Sequence, residues 1–353
     1  MACSGIQIWE VGGFRDSGYR EMPRLPHQSG VCSKNMMRMT VLASGSKGNS
    51  TVVSSSRTRI LVDAGLSCRE LMKRMVAADE DPRMLDAILI THEHQDHVQG
   101  LAVTARKLGI PVYFTEPTHR AWMRWMMPRK RMTYAEWLEQ RKQQAAVAEN
   151  PEEPASAVPV SFDAEAAAAT EEELTAVAAE PERDPCALPG VEYFCAGEHF
   201  SIGDIAITPF TIPHDAADPV GFVFESEGIR IGLATDLGFM PSNVQMHLRK
   251  CDVLMLESNH DLDMLRDGPY PWSVKQRVMS RVGHLSNDAA AEFLEKSYDG
   301  QAAYVVLAHL SESNNLPELA RVSAERALQD RMSLLGNKLM LAAQDAPMES
   351  IVI

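Results

Sequence analysis

Residues 91–97 read Thr-His-Glu-His-Gln-Asp-His and follow directly on the apolar run Ala-Ile-Leu-Ile, which is typical of a buried strand. On a strand, His92 and His94 project to the same side, and a helix that begins at Asp96 turns Asp96 and His97 towards a neighbouring position. Imidazole and carboxylate ligands suit Zn, Mn or Fe. The segment therefore predicts two adjacent metal ions, the first held by His92 and His94 and the second by Asp96 and His97. The alternative without function is a solvated polar turn.

Three further residues of ligand type lie one step beyond apolar runs elsewhere in the chain: His214, Asp236 and His309. Taken singly, each is as well explained as an ordinary loop or core residue. Together they supply the ligands that a two-metal site still needs, and a carboxylate at Asp236 can bridge two ions. We therefore expect these three side chains to complete the metal site.

Short apolar runs alternate with amphipathic stretches along the chain, which predicts an α/β fold with two sheets covered by helices. The predicted strands are residues 59–63, 87–91, 203–212, 221–225, 229–234, 253–257 and 303–308, with a first strand from Met39. The predicted helices are residues 67–78, 98–108, 287–298 and 317–329.

Composition restricts the class of protein. The chain has 353 residues, 45% of them hydrophobic and 23% charged, as expected of an ordinary globular protein. Its six cysteines include no C-x-x-C pair, which argues against a disulfide framework and a zinc ribbon. No apolar run is long enough to span a membrane, and the N-terminus has no signal-peptide pattern. These features predict a cytoplasmic protein without a membrane partner.

Two segments differ in composition from the rest. Residues 1–38 have little apolar periodicity and are expected to be a disordered extension, or to precede the true start of the protein. Residues 143–190 are rich in Ala, Glu and Pro and are expected to form a low-complexity acidic insertion within one domain that spans 39–353. Residues 143–182 contain ten acidic residues and no Lys or Arg, so the formal charge of −14 falls to −4 without them. The acidity therefore belongs to the insertion.

The order of the candidate ligands resembles that of the metallo-β-lactamase superfamily. Asp63 in Leu-Val-Asp-Ala-Gly, the run at 92–97, His214, Asp236 and His309 fall in the superfamily's five-motif order. The stretches 41–50, 213–219, 257–261 and 282–287, and Leu307-Ala-His-Leu-Ser311, are similar to the exonuclease group of the YycJ or WalJ type. The resemblance covers residues 39–330 apart from the insertion.

This resemblance implies an αββα sandwich, two mixed β-sheets flanked by helices, that binds two divalent ions, zinc or manganese. It also implies a hydroxide held between the ions, which attacks the phosphorus of a nucleic acid, and 5′-to-3′ exonuclease activity on DNA. Two hypotheses of other classes stay open. One is a hydrolase of a small ester, thioester or lactone at the same site, and the other is a metal-binding regulator without catalysis.

Other residues near these motifs are candidates for catalysis. His284, before the predicted helix at 287, resembles a histidine of related phosphodiesterases that assists the leaving group. Glu257 and His260 end a strand, and we expect them to orient ligands or transfer protons. Asp63 is expected to orient a ligand histidine or water. The alternative for each residue is a hydrogen bond that orders a loop.

Two basic regions are candidates for binding a phosphate backbone. Lys275, Arg277 and Arg281 lie just before His284 and are the better placed. Residues 119–142 combine Lys and Arg with three tryptophans, although an amphipathic helix with its tryptophans in the core explains that pattern as well. Gly45-Ser-Lys-Gly-Asn-Ser50 is interpreted as a turn between strands rather than as a backbone nest for phosphate.

Overall fold

The structure is a computed structural model, and it describes residues 36–127, 184–328 and 338–353. The chain divides into two compact units, residues 1–124 with 186–353, and residues 125–185. The first unit contains every strand and candidate ligand discussed below. Most of the predicted acidic insertion and all of residues 1–35 lie outside the described residues.

The first unit is built on two seven-stranded mixed sheets, which confirms the predicted fold class. The first sheet has the order β14-β1-β2-β3-β4-β5-β6, antiparallel from β14 to β3 and parallel from β3 to β6. Its strands are β1 (Arg38–Ala43), β2 (Ser50–Ser54), β3 (Arg59–Val62), β4 (Ala87–Leu89), β5 (Val112–Phe114), β6 (Val191–Tyr193) and β14 (Ile351–Val352).

The second sheet repeats this plan with the order β13-β12-β11-β10-β9-β8-β7. It is antiparallel from β7 to β10 and parallel from β10 to β13. Its strands are β7 (Phe200–Ile202), β8 (Ile205–Thr211), β9 (Val220–Ser226), β10 (Ile229–Ala234), β11 (Val253–Glu257), β12 (Tyr304–Ala308) and β13 (Lys338–Leu341).

Helices lie between the strands along the chain. In the described residues they are α1 (Cys68–Ala77), α2 (Gln95–Val98), α3 (Leu101–Leu108), α4 (Glu116–Met126), α5 (Ser242–His247), α6 (Leu262–Asp267), α7 (Trp272–Val278), α8 (Asn287–Lys296) and α9 (Pro317–Leu328). Ser286 caps α8 by accepting a hydrogen bond from the Ala289 amide, as its type and position predict. None of these helices is long and apolar enough to cross a membrane.

The core explains why the strands were recognisable. Alternate residues such as Met39 in β1 and Phe222 and Phe224 in β9 are buried in one cluster to which both sheets contribute. The intervening residues of the second sheet, such as Leu254 and Leu256, are buried against α8 and α9 in another cluster. Strands that are buried on both faces produce continuous apolar runs rather than alternating ones.

The predicted strands at 229–234 and 253–257 have the bounds of β10 and β11. The predicted helix at 98–108 corresponds to α3, which begins at Leu101, whereas Val98 ends the short helix α2. Gly100 lies between the two helices, where a Cβ atom would lie 2.0 Å from the Leu66 carbonyl oxygen. The sequence analysis missed β5, β6, β7, β13, β14 and α5 to α7. These strands have two to four residues, too few to establish a period.

The carboxyl ends of the strands place the candidate ligands at one edge of the sandwich. Residues 91–97 follow β4, Asp236 follows β10 and His309 follows β12, and each of these strands has a parallel neighbour. Polar side chains beyond the carboxyl ends of parallel strands meet at a common edge, where loops can form a site.

Gly65 allows two of these loops to touch backbone to backbone. A Cβ atom at Gly65 would lie 1.6 Å from the Asp96 carbonyl oxygen and 2.6 Å from the Asn49 nitrogen. The Ala64 amide beside it donates to the His97 carbonyl over 2.8 Å. The turn after β3 and the turn that carries Asp96 are therefore held together where only glycine fits.

Gly65→Ala is expected to lower the free energy of unfolding by about 3 kcal/mol, because the added methyl group forces these two turns apart. Denaturant unfolding measured by circular dichroism checks this expectation. Gly190→Ala is the matched control, since its Cβ would make an ordinary 3.4 Å contact with Pro111. Equal stability of the two variants would contradict the packing argument.

Candidate metal centre

Three histidines from two loops bring their ring nitrogens together. His94 Nδ1 lies 3.1 Å from His92 Nε2 and 3.2 Å from His214 Nε2. His92 and His94 come from the loop after β4, and His214 comes from the loop after β8. The three form a group that could hold a metal ion. His214 therefore joins the pair that the spacing of His92 and His94 predicts.

A second group combines Asp96, His97 and His309. Asp96 Oδ2 lies 3.4 Å from His97 Nε2 and 3.5 Å from His309 Nε2. Asp96 and His97 stand in the first turn of α2, which begins directly after His94, and the His97 ring lies beside that of His92, with 4.1 Å between ring centroids. His309, from the end of β12, supplies the ligand atom that residues 91–97 lack.

Asp236 lies between the two groups. Its Oδ2 is 3.5 Å from His97 Nε2, and its Oδ1 is 3.4 Å from His309 Nε2. It also forms a candidate group with His92 and His97. One carboxylate is therefore within reach of histidines from both parts of the site, as a bridging ligand must be.

The spacing and burial of these atoms fit divalent metal ions. Metal–ligand bonds of 2.0–2.1 Å in a tetrahedron place ligand atoms about 3.4 Å apart. The gaps of 3.1–3.5 Å in the site match that figure. Asp236 Oδ2 and His309 Nε2 are buried, and neither has a hydrogen-bond partner among the described residues. Buried polar atoms without partners are costly, and a cation facing both would satisfy them.

Asp63 is hydrogen-bonded to His97. The carboxylate lies at the end of β3, where His97 Nδ1 donates to its Oδ2 over 2.8 Å. Thr91 fixes the carboxylate by donating from its amide to Oδ1 and from its hydroxyl to Oδ2. With Nδ1 engaged, His97 presents Nε2 to the candidate metal position, and a carboxylate partner makes that nitrogen a stronger ligand.

Glu257 holds two histidines with one oxygen. Its Oε1 accepts from His284 Nδ1 over 2.8 Å and from His309 Nδ1 over 2.9 Å. Its Oε2 accepts the amides of Leu237 and Leu285, each over 2.9 Å. The side chain is fully buried at the end of β11. Glu257 therefore directs Nε2 of His309 to the candidate metal position and fixes the ring of His284 beside it.

Two further ligand histidines, His92 and His214, are oriented by uncharged groups. His92 Nδ1 donates to the Thr91 hydroxyl over 3.0 Å, and His214 Nδ1 donates to the Gly283 carbonyl over 3.1 Å. Each of these two rings therefore presents Nε2 to His94. The sequence analysis missed Thr91 and Gly283, because nothing in their residue types marks them as partners of distant rings.

The charges of the site favour a cation. Burial alone would raise the pKa of the Asp96 carboxyl, but His97 and His309 hold that pKa well below its ordinary value. Burial also opposes ionisation of Glu257, yet His284 and His309 lower its pKa to about 2. Although burial disfavours the charged form of His97, the carboxylates of Asp96, Asp236 and Asp63 raise its pKa well above the ordinary value. Ionised carboxylates crowded into a buried site attract positive charge.

His284 is the site histidine that stays partly open to solvent outside the two ligand groups. Its side chain is 21% exposed, and its ring centroid lies 5.1 Å from those of both His214 and His309. His260 is placed differently. Burial lowers its pKa to about 4, and its Nδ1 has no partner among the described residues. The His260 backbone pairs with Ser286, and its carbonyl accepts the Asn287 amide over 2.9 Å.

The three basic residues before His284 differ in their exposure and their hydrogen bonds. Lys275 is buried, and its Nζ donates to the carbonyls of Arg266 and Gly268 at the end of α6. Its expected role in binding substrate is therefore corrected, because the ammonium group is committed to a helix end. Arg277 and Arg281 are exposed. In the other basic region Trp122 is fully buried but Trp125 is 49% exposed, so one of the two described tryptophans lies in the core and the other does not. Residues 128–142 lie outside the described part of the chain.

Comparisons with known proteins agree with this geometry. A family model described as the metallo-beta-lactamase superfamily matches residues 43–309. Exodeoxyribonuclease YycJ of Bacillus anthracis is 31% identical over 295 residues, 84% of this chain and 90% of that protein. Exodeoxyribonuclease WalJ of Streptococcus pneumoniae is 31% identical over 286 residues, 81% of this chain and 86% of that protein. The fold of YhfI from Bacillus subtilis, a metallo-beta-lactamase fold protein, is similar, with a TM-score of 0.55 at 13% identity over 89% of this chain and 99% of that chain.

Glu257→Gln is expected to lower the affinity for zinc roughly 10- to 100-fold, because an amide has one acceptor oxygen and cannot replace both carboxylate oxygens. Zinc retained after equilibration with graded chelator concentrations measures the change. Glu225→Gln, which alters an exposed carboxylate on β9 that is paired with Arg230 on β10, is the control. Equal retention by both variants would remove Glu257 from the support of the metal centre.

Proposed function

The chain belongs to the metallo-beta-lactamase superfamily and is a metal-dependent hydrolase, and from this premise we propose that it is a phosphodiesterase that removes nucleotides from the 5′ end of DNA. The family predicted from the motifs is thereby confirmed. The main support for a DNA substrate is the 31% identity, over more than four fifths of the chain, to two proteins named exodeoxyribonuclease.

We propose that the centre holds two divalent ions, zinc or manganese. His92, His94 and His214 would hold one, Asp96, His97 and His309 the other, and Asp236 would contact both. When bound, such ions polarise phosphoryl oxygens and make water acidic enough to attack at neutral pH. Imidazole and carboxylate donors without thiolate are compatible with either metal.

His284 is the residue we propose for proton transfer to the leaving oxygen. Its Nδ1 is engaged by Glu257, so Nε2 is the nitrogen free to exchange a proton with substrate. The buried Glu257 carboxylate holds the ring in place through this hydrogen bond of 2.8 Å. Partial exposure at the mouth of the site allows a substrate to reach the ring.

Charge explains why the arginines matter for a phosphodiester. Asp63, Asp96, Asp236 and Glu257 offset the four positive charges of two divalent ions, so the site alone is close to neutral. Arg277 and Arg281 add positive charge on the segment that leads to His284. Arg277 Nε donates to Asp215 Oδ2 over 2.5 Å, which leaves its terminal nitrogens for a phosphate. Arg281 stacks over the Phe239 ring at 4.0 Å.

The substrate class is tested by offering the purified protein one DNA sequence labelled at its 5′ or 3′ end, the matching RNA, a chromogenic phosphodiester and a lactone, each with and without zinc or manganese. We expect metal-dependent release of mononucleotides from the 5′ end of 5′-phosphorylated DNA. Asp236→Asn, expected to be inactive, controls for contaminating nuclease. Turnover of the lactone alone would support the ester-hydrolase hypothesis, and bound metal without any turnover would support the regulator.

Arg277→Ala is expected to raise KM for DNA about tenfold with kcat little changed, because a charge-assisted contact to phosphate is lost. Initial rates over a range of salt concentrations check this, since each phosphate contact adds to the salt dependence of binding. Arg249→Ala removes an exposed arginine just before the amino end of β11, whereas the candidate site lies at the carboxyl end of that strand. This variant should leave KM unchanged. A fall in kcat at constant KM would contradict the binding role.

A further inference from the structure

The turn between β1 and β2 carries an asparagine that reaches the metal centre. Asn49 is 8% exposed, and its Nδ2 lies 3.0 Å from Asp96 Oδ2 and 3.0 Å from His97 Nε2. Both residues belong to the second ligand group. The sequence analysis treated this turn only as a connection between strands or as a nest for phosphate, and neither role involves the Asn49 side chain.

The turn itself fixes which end of the amide faces Asp96. The Gly45 amide donates to Asn49 Oδ1 over 2.8 Å, and Asn49 Nδ2 donates to the Gly45 carbonyl over 3.1 Å. A backbone N–H can only donate, so the side-chain atom it meets must be the oxygen. The NH₂ group is therefore directed to Asp96, where it can donate to the carboxylate.

The main chain of Asn49 holds the same loop. Its amide donates to the Asp96 carbonyl over 2.7 Å, and its carbonyl accepts from the Gly65 amide over 3.0 Å. Asp96 is thus contacted by Asn49 through both its backbone and its carboxylate. These contacts leave Asp96 little freedom to rotate away from His97 and His309.

Four backbone amides of the turn are already engaged, which argues against the phosphate nest. Gly45 donates to Asn49 Oδ1, Lys47 to Gln344 Oε1, Gly48 to the Gly45 carbonyl and Asn49 to Asp96. Gln344 also donates from Nε2 to the Gly48 carbonyl over 3.0 Å. The turn is therefore braced on its outer side by Gln344 and points its polar groups inward to the metal centre.

We propose that Asn49 is a positioning residue that orients the Asp96 carboxylate towards its metal ion and so sets the affinity of the ion held by Asp96, His97 and His309. A cation held by His97 would occupy Nε2, so Asp96 Oδ2 is the nearby acceptor that the Asn49 amide would keep. A carboxylate oxygen has two lone pairs and can accept this hydrogen bond while it also faces a metal ion. The inference rests on the proposed two-ion centre and adds to it a residue outside the seven candidate ligands.

The test is a zinc titration of the metal-free full-length protein in competition with a chromogenic chelator, which resolves the affinities of the two sites. In Asn49→Ala we expect one affinity to fall roughly 10- to 100-fold and the other to stay within about twofold. Gln344→Ala is the matched control, because it removes two hydrogen bonds from the same turn without touching Asp96. We expect both of its affinities to stay within about twofold of the wild-type values.

The possible outcomes distinguish a failure of the role inferred for Asn49 from a failure of the proposed two-ion centre. Wild-type protein that binds fewer than two zinc ions would overturn the two-ion centre. Two ions bound with unchanged affinities in Asn49→Ala, or an equal loss in Gln344→Ala, would overturn the role of Asn49 alone. Thermal unfolding of each metal-free variant shows whether the turn is merely loosened. If Asn49→Ala does not fold, Asn49→Ser, which retains a polar group too short to reach Asp96, undergoes the same titration.

Discussion

Buried negative charge is the constraint on which this site depends. Asp63, Asp236 and Glu257 are each at most 4% exposed, and Asp96 lies beside them at the edge of the sandwich. Carboxylates so placed are stable only when cations or hydrogen-bond donors satisfy them. Histidines satisfy part of this demand, and the groups left without partners face one another across gaps suited to a metal ion. This arrangement could hold a cation.

Each of the two sheets uses a buried carboxylate at the end of a strand to orient ligand histidines. At the end of β3, Asp63 holds His97, and at the end of β11, Glu257 holds His309 and His284. Each sheet thus contributes one buried carboxylate that turns a ligand histidine towards the shared centre. Glu257 differs from Asp63 because one of its oxygens accepts hydrogen bonds from two rings. It therefore links His309 of the candidate metal centre to His284, the residue we propose for proton transfer.

The backbone at the site is held in an unfavourable conformation. Asp63, Asp236 and His309 have φ angles of 59°, 62° and 56°, in the left-handed region that disfavours residues other than glycine. Each such residue costs about 1 kcal/mol. Asp63 and His309 directly follow β3 and β12, and Asp236 lies two residues beyond β10, so each stands where the chain leaves a strand. Strain of this kind persists where the surrounding structure over-determines it, which is common at functional sites.

The sequence by itself determined the strands of the core and the identity of the candidate ligands. The apolar runs 231–234 within β10 and 253–256 within β11 predict strands because burial on both faces leaves no polar residue within them. The run at 92–97 was recognisable because packing does not explain three histidines and an aspartate in six residues. Its order with His214, Asp236 and His309 identified the family.

Only the tertiary structure decided which side chains share a position and which are used elsewhere. Lys275 and Arg277 are two residues apart, yet one caps a helix and the other is exposed near the site. Asn49 reaches Asp96 from 47 residues away, and β14 pairs with β1 across most of the chain. The short edge strands carry too few residues to show a period. Such contacts arise from the packing of distant segments, and local patterns do not encode them.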